Sequence, residues 1–303
     1  MATGLFSRAT VTTVGLTCKA FLKIGFCSSV SVNGLDILLE ALRSEEREKG
    51  RGVVTVANHL STLDDPLIWG IMPWRSFLSE RTTRWALGAA DIIFTNPIFS
   101  AFFRNGQVLE TFRGKGIYQP SVDTAVSKLN RGGWVHLFGE GKVYQPRDYR
   151  EEHGMAHLAR FKWGIGRMLM ETALPPTVIP MWLTGFDKLM PEGRSIPYKF
   201  LPRPGVALSV TFGKPISAEK IRSALASIDR DPARVQVTPS SEVKHGGGWM
   251  GEAISRTVYT ERYREREGKL WEEMARVRSE VTEIVRQEVE ALGRSVSGAR
   301  LGK

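Results

Sequence analysis

The chain is poor in cysteine, poor in histidine and, at its start, empty of acid. Cys18 and Cys27 are the two cysteines among 303 residues. Both fall in a segment that reads as helix and stand too far apart along it to bridge, so no structural disulfide is expected, and the expected site is reducing or thiol-indifferent. The five histidines are scattered, and His153, His157 and His245 have neither metal-ligand spacing nor a cysteine nearby. No metal and no cofactor are expected. There is no aromatic-rich RNA-binding strand, no zinc spacing and no basic region feeding a leucine zipper, which argues against a nucleic-acid partner.

No Asp or Glu precedes Asp36, while Arg8, Lys19 and Lys23 sit in a stretch rich in Thr and Ser. That composition fits a mitochondrial targeting region better than a secretory signal. The same stretch, VTTVGLTCKAFLKIGF, is the first candidate to enter a membrane. Two lysines near the middle of a span would cost roughly 5–7 kcal/mol, against a few tenths gained per apolar residue, so a spanning helix is disfavoured. Lys19 and Lys23 lie four apart on one helix face, with Val14, Phe21, Ile24 and Gly25 turned away. This predicts a helix lying in the membrane interface, with Phe21 and Ile24 as its anchor. An amphipathic helix that merely covers the domain is the alternative.

What the chain does have is apolar mass and positive charge. At 42% hydrophobic it can bury a substantial core, and its length fits one large domain with appendages. A formal net charge of +10 points to an anionic partner, for which an acidic membrane surface is the better candidate. Between Asp36 and residue 215, runs such as GVVTVAN, QVLET, WVHLF, TVIPMWLTGF and VALSVTFGK read as strands. LLEALRSEEREKGRG, YQPSVDTAVSKLNRGG and LARFKWGIGRMLMETA read as helices, and VYQPRDYREEHGMAH reads as loop. The alternation predicts an α/β fold, a mostly parallel central sheet flanked by helices. We divide the chain into an N-terminal interfacial segment (1–30), a domain (31–227), a polar excursion (228–250) and a charged C-terminal helical segment (251–303). In the last, Leu270, Met274, Val277, Val281 and Ile284 step by four and three, which suits a helix laid on its own domain or a coiled-coil contact with a second copy.

Three strand ends carry the candidate chemistry. NHLSTLDDP, residues 58–66, follows the buried run VVTVA. His59 and Asp64 there could form a proton-transfer pair, because a carboxylate on one ring nitrogen fixes the tautomer and leaves the other nitrogen as the base. Read alone, the stretch is more readily a capped turn, with Asp65 capping a helix that begins near Pro66. GEGK, residues 139–142, follows WVHLF: Gly139 and Gly141 allow close backbone approach, Glu140 offers an acceptor for a hydroxyl, and Lys142 a cation for a phosphate. FRGKG, residues 112–116, follows QVLET, and its Arg113 could grip a phosphate, with Lys115 adding charge. In a parallel sheet all three land on the edge where ligands bind.

Taken in order, NHLSTLDDP, FRG, WVHLFGEGKV, RFKWGIGR and VIPMW resemble the blocks of the glycerophospholipid acyltransferase superfamily, and in particular its mitochondrial phospholipid transacylase branch. The likeness covers roughly residues 30–215. It implies a glycerolipid acyltransferase-like fold, with His59 as general base, Asp64 as its orienting partner, Glu140 and Gly141 in the substrate block, and Arg113 at the phosphate-binding position. It puts Gly139 where that block usually has proline, which suggests a looser loop. Val178, Ile179 and Pro180 match the fourth block, whose strand lines an acyl path or is packed core. The implied reaction is a coenzyme-A-independent exchange of acyl chains between phospholipids and lysophospholipids. Cardiolipin and monolysocardiolipin are the expected pair, phosphatidylcholine is a further substrate, and the expected place is a mitochondrial membrane surface facing the intermembrane space. An acyl-CoA-dependent enzyme and an inactive membrane-binding scaffold are the rivals.

Overall fold

A computed structural model describes residues 4–198, 201–226 and 263–302. Its strands are β1 (Ser29–Asn33), β2 (Val53–Ala57), β3 (Trp85–Ala89), β4 (Val108–Thr111), β5 (Trp134–Phe138), β6 (Arg150–Glu152), β7 (Met155–His157), β8 (Thr177–Thr184) and β9 (Ala207–Phe212). Seven of them form one sheet in the order β1-β9-β8-β2-β5-β3-β4, and β6 and β7 make a separate hairpin. The block from β8 to β4 is parallel throughout, whereas β9 runs antiparallel to β8 and carries β1 parallel to itself at the far edge. The mostly parallel sheet is as expected from the alternation of elements.

The helices are α1 (Leu5–Lys23), α2 (Leu35–Arg43), α3 (Asp64–Ile68), α4 (Ala90–Ile93), α5 (Pro97–Asn105), α6 (Pro120–Leu129), α7 (Gly164–Glu171), α8 (Phe186–Leu189), α9 (Ala218–Ala226) and α10 (Tyr263–Ser297). They cover both faces of the sheet. Period-two alternation in β2, β5 and β8 sends Val54, Val56, Val135, Leu137, Val178 and Trp182 to one core, with residues of α6, α7 and α10. Val53, Ala57, Trp134, Ile179, Met181 and Leu183 face the other, with residues of α2, α3 and α8. All five residues of β2 are buried, as a central strand covered on both faces requires.

Two expectations about the termini change. Lys19 does not face solvent or lipid: its ammonium donates to the carbonyls of Gly70 (3.1 Å) and Met72 (2.7 Å). Gly15 lies against the Phe77 ring, and Gly70 lies against the backbone of Cys18, so α1 is seated closely on the domain by its lysine side. Phe21 is half-buried and meets Phe26 with ring centroids 4.8 Å apart, so it is not a free anchor, while Ile24 is exposed. α1 therefore covers the domain with its lysine side, while Leu5, Phe6 and Leu16 stay exposed along with Ile24. At the other end, Val277, Val281, Val285 and Val289 of α10 are fully buried in the chain's own core. Of the predicted stripe, Val277 and Val281 are thus spent on the domain itself, Met274 and Ile284 are half-buried, and the Leu270 side chain lies outside the described residues.

Residues 158–173 are helical only over Gly164–Glu171, because Lys162 leaves the helical path to donate its N–H to the Gly139 carbonyl at 2.8 Å. The stretch read as loop after Val143 contains the hairpin β6–β7, whose Ala156 N–H is accepted by Ala299 beyond α10. β1 and β3 have no counterpart among the strands expected from the sequence. β1 is mostly exposed and lacks an apolar run, and β3 sits inside an apolar stretch that continues into α4 and α5. The polar excursion at 228–250 lies outside the described residues. No helix of the described residues is long and apolar enough to cross a membrane.

Candidate active site

Strand register explains why His59 and Glu140 meet. Ala57, the last residue of β2, pairs with Phe138, the last residue of β5. Two residues further on, each chain has left the ladder, and His59 N–H donates to Glu140 Oε2 at 2.9 Å. Asn58 closes the other side of β2: its side chain accepts from Leu183 N at 2.8 Å and donates to Leu183 O at 3.1 Å, replacing ladder bonds to β8. His59 is thus carried by a strand end tied on both flanks.

The turn from Ser61 into α3 brings Asp64 back under His59. The Asp64 carboxylate is fully buried and accepts from Leu60 N, from Ser61 N (2.9 Å) and from Ser61 Oγ (2.7 Å), with His59 Nδ1 3.0 Å from Oδ2. An ionised carboxylate only accepts, so these bonds assign the hydrogen to Nδ1 and leave the Nε2 lone pair free. That is the protonation pattern a general base needs. Asp64 is not itself a helix cap, and neither is Asp65. α3 begins at Asp64 with Leu63 at its N-cap and no side-chain cap. The expected capping role of Asp65 is replaced by an ion pair with Arg84 and by a bond from Trp69 Nε1 at 3.2 Å. Burial works against the Asp65 carboxylate, but Arg84 outweighs it and holds the pKa below the ordinary value. Asp64 thus serves the histidine, whereas Asp65 serves Arg84 and Trp69 instead of the helix end.

Glu140 is 1% exposed, and its Oε1 has no hydrogen-bond partner among the described residues. Burial pushes its pKa up to about 8; the His59 N–H opposes this and the Asp64 charge adds to it. At neutral pH the group is predominantly a neutral acid. The loop around it is built on contact, not slackness. A Cβ at Gly139 would lie 2.4 Å from the Phe161 ring, and Gly139 N–H is 3.4 Å from the Ala57 carbonyl. The expectation that glycine loosens this loop is therefore corrected: the position has no room for a side chain and uses its N–H. Gly141 has a positive φ of 71° and is overlain by Lys162, whose Cγ would sit 2.8 Å from a Cβ there. Lys142 is exposed, with its Nζ 4.5 Å from the Tyr144 ring centroid. Beside them Arg160, Phe161, Lys162 and Trp163 line a hollow of about 230 Å³.

The other candidates lie apart. Arg113, just beyond β4, is exposed and paired with Asp91. β4 is three strands from β2, roughly 14 Å at ordinary strand spacing. Val178 and Ile179 are buried on opposite faces of β8 and belong to the two cores. Four residues were missed: Asn58, Ser61, Phe138 and Lys162. Asn58 and Ser61 flank His59 in the quoted motif, and a count of polar residues at the end of a buried strand would have singled them out. Lys162 and Phe138 were hidden because both read as parts of regular elements.

A histidine bonded to a buried carboxylate and set beside a buried acid, at the carboxyl edge of a parallel sheet, is an arrangement chemically able to carry out acyl transfer. The family model described as Acyltransferase matches residues 39–184. A protein of Dictyostelium discoideum named Taffazin is 35% identical over 221 residues, covering 72% of this chain and 72% of that protein. The N-acylphosphatidylethanolamine synthase of Arabidopsis thaliana is 37% identical over 207 residues, or 67% of this chain and 69% of that protein. Tafazzin of Saccharomyces cerevisiae is 35% identical over 232 residues, covering 64% and 59% respectively. The chain belongs to the acyltransferase family, in the group that contains the tafazzins. It is an acyltransferase of phospholipids or lysophospholipids.

Proposed function

We propose that the chain exchanges acyl chains between phospholipids and lysophospholipids without coenzyme A, with His59 as the base and Asp64 as its orienting partner. The observation that carries this reading is the His59–Asp64 pair itself: a buried carboxylate saturated by donors, leaving Nε2 as the only free nitrogen of the ring. Nε2 takes the proton of the free glycerol hydroxyl as its oxygen adds to the donor's ester carbonyl. The imidazolium, held by Asp64, returns the proton to the departing lysolipid oxygen. One ester replaces another, so the reaction needs no energy source and runs in both directions. Lys142 and Lys162, on either side of the Glu140 loop, hold the lipid phosphate; Arg113 contributes charge only at the outer rim.

The membrane contact is made by α5 and its neighbours rather than by Phe21 of α1. Ile98, Phe99 and Phe102 are exposed on α5, as are Ile92 on α4 and Phe112 after β4. α4 and Phe112 follow the C-terminal ends of β3 and β4, so they share the edge that carries His59. Lys115, three residues past Phe112, would add about 1 kcal/mol on an anionic membrane, while Arg104 and Arg113 are engaged by Glu110 and Asp91. We place the protein on mitochondrial membranes, on the side facing the intermembrane space, with cardiolipin, monolysocardiolipin and phosphatidylcholine as substrates. Fractionation with protease protection tests the location.

A second reading has a specific observation behind it, the 37% identity to a protein named for making N-acylphosphatidylethanolamine. The same base would then deprotonate an amine instead of a hydroxyl. One experiment separates these. Purified protein is given vesicles of labelled phosphatidylcholine with monolysocardiolipin, then with phosphatidylethanolamine, then with acyl-CoA as sole donor, alongside His59→Ala. Label in cardiolipin, absent with His59→Ala, is the expected result. Label on the ethanolamine nitrogen favours the second reading, transfer from acyl-CoA alone refutes coenzyme A independence, and unchanged exchange by His59→Ala refutes the base assignment.

A further inference from the structure

Asp64 holds His59 by one ring atom, and a single hydrogen bond leaves the imidazole free to tilt about the Nδ1–Oδ2 line. A second constraint is present. The Phe138 ring stacks on His59 with centroids 4.0 Å apart and planes at 15°. Behind it, His136 meets Phe138 at 4.6 Å and 90°, and His136 meets Trp69 at 4.8 Å and 80°. Trp69 in turn meets Trp134 at 4.8 Å and 90°. The rings form one continuous aromatic column from the base into the core beneath the sheet.

The far end of the column is pinned by hydrogen bonds. Trp134 Nε1 donates to Thr55 Oγ1 at 2.9 Å, and the same hydroxyl is hydrogen-bonded to His136 Nδ1, 2.8 Å away. Burial depresses the His136 pKa to about 3, and the column is therefore uncharged. That matters for the base, because a second imidazolium behind Phe138 would oppose a charge on His59. The groups facing His59 are Asp64 from α3, Glu140 beyond β5, and neutral His136 through Phe138. Asp187 and Tyr149 bear on Asp64 and Glu140 from behind, and the Asp65–Arg84 pair lies against His136.

We propose that Phe138 is a positioning residue for acyl transfer: its face fixes the plane of the His59 ring, aiming Nε2 at the acceptor, and stabilises the positive charge the ring takes up. A ring face attracts a cation within about 6 Å of its centroid, and the stacking distance is well inside that reach. Phe138 ends β5 opposite Ala57, so the same register that joins His59 to Glu140 sets this contact. The inference rests on His59 being the base.

The test measures kcat and KM for transfer to a lysolipid in vesicles across pH 5 to 9, for wild type, His59→Ala, Phe138→Leu, Phe138→Met and Phe138→Tyr. Removing the aromatic face with Leu should lower kcat about tenfold at unchanged KM and move the acid limb of the profile downward by up to about one pH unit, since one unit corresponds to tenfold. Phe138→Tyr should restore both. Phe138→Met, whose flexible chain can fill the space left without supplying a ring, carries the same expectation as Leu and decides the matter if the Leu variant does not fold. If His59→Ala is dead while Leu and Met keep the wild-type kcat and acid limb, Phe138 does not position the base. If His59→Ala keeps its activity, the base assignment fails and this inference fails with it.

Discussion

Replacing Glu140 with Gln asks whether a buried acid next to the base is neutral. Its carboxyl is 1% exposed, has one N–H donor, and takes part in no ion pair among the described residues. The folded pKa is about 8, against an ordinary 4.5. Between those values the folded chain holds a proton that the unfolded chain has released, so stability falls as pH rises. At 1.36 kcal/mol per unit, the cost by pH 7 is about 3 kcal/mol. His136 acts in the opposite sense: its folded pKa of about 3, below the ordinary 6.5, makes stability rise with pH up to 6.5. The two slopes oppose each other between 4.5 and 6.5, and the fall from 6.5 to 8 belongs to Glu140.

Glu140→Gln keeps a carbonyl oxygen for the His59 N–H and cannot ionise. Melting curves should therefore place the variant above wild type at pH 7.5, by roughly 5–10 °C for a chain of this size. The wild-type decline between pH 6.5 and 8 should vanish, and a rise between 4.5 and 6.5 from His136 should emerge. Lipid exchange should survive, because a neutral amide replaces a neutral acid. A variant less stable than wild type at pH 7.5, with the wild-type melting temperature flat from 6.5 to 8, would show that Glu140 is ionised in the fold and that the reasoning is wrong.

Three further outcomes follow from specific contacts. Gly139→Pro, which installs the residue usual in this block, should cost about 2–3 kcal/mol because it overpacks Phe161 and removes an N–H aimed at Ala57; chemical denaturation measures it, and a neutral result would mean that Phe161 yields. Changing Ile98 and Phe99 together to Glu should abolish flotation with anionic vesicles while leaving the melting temperature within about 2 °C, as expected of exposed positions; retained flotation would put the lipid contact elsewhere. Val281→Ala should destabilise by about 2 kcal/mol without changing the sedimentation coefficient, since that side chain is buried in its own chain. A shift in oligomeric state would contradict this use of the stripe.

How far the site was legible depends on which constraint each residue answers to. His59, Asp64 and Glu140 stand at the ends of buried runs, where period and polarity change together, and two residues past a paired position is a place that register alone brings together. Arg113 sits at the end of β4 in the same way, but a one-dimensional reading has no strand order, and β3 and β5 intervene. Lys19 was misjudged for a related reason. Helical spacing gives a face but not what lies opposite it, and two backbone carbonyls of the turn after α3 accept its ammonium. Gly139 looked like lost rigidity because a glycine in a sequence reports only its own freedom, whereas here the neighbour, Phe161, fills the space. Phe138 is the limiting case. In the run WVHLF it satisfies the strand pattern completely, and a residue that meets a local rule gives no local sign of a second role. Its partner is a histidine 79 positions earlier, so only the pairing of β2 with β5 brings the two rings together.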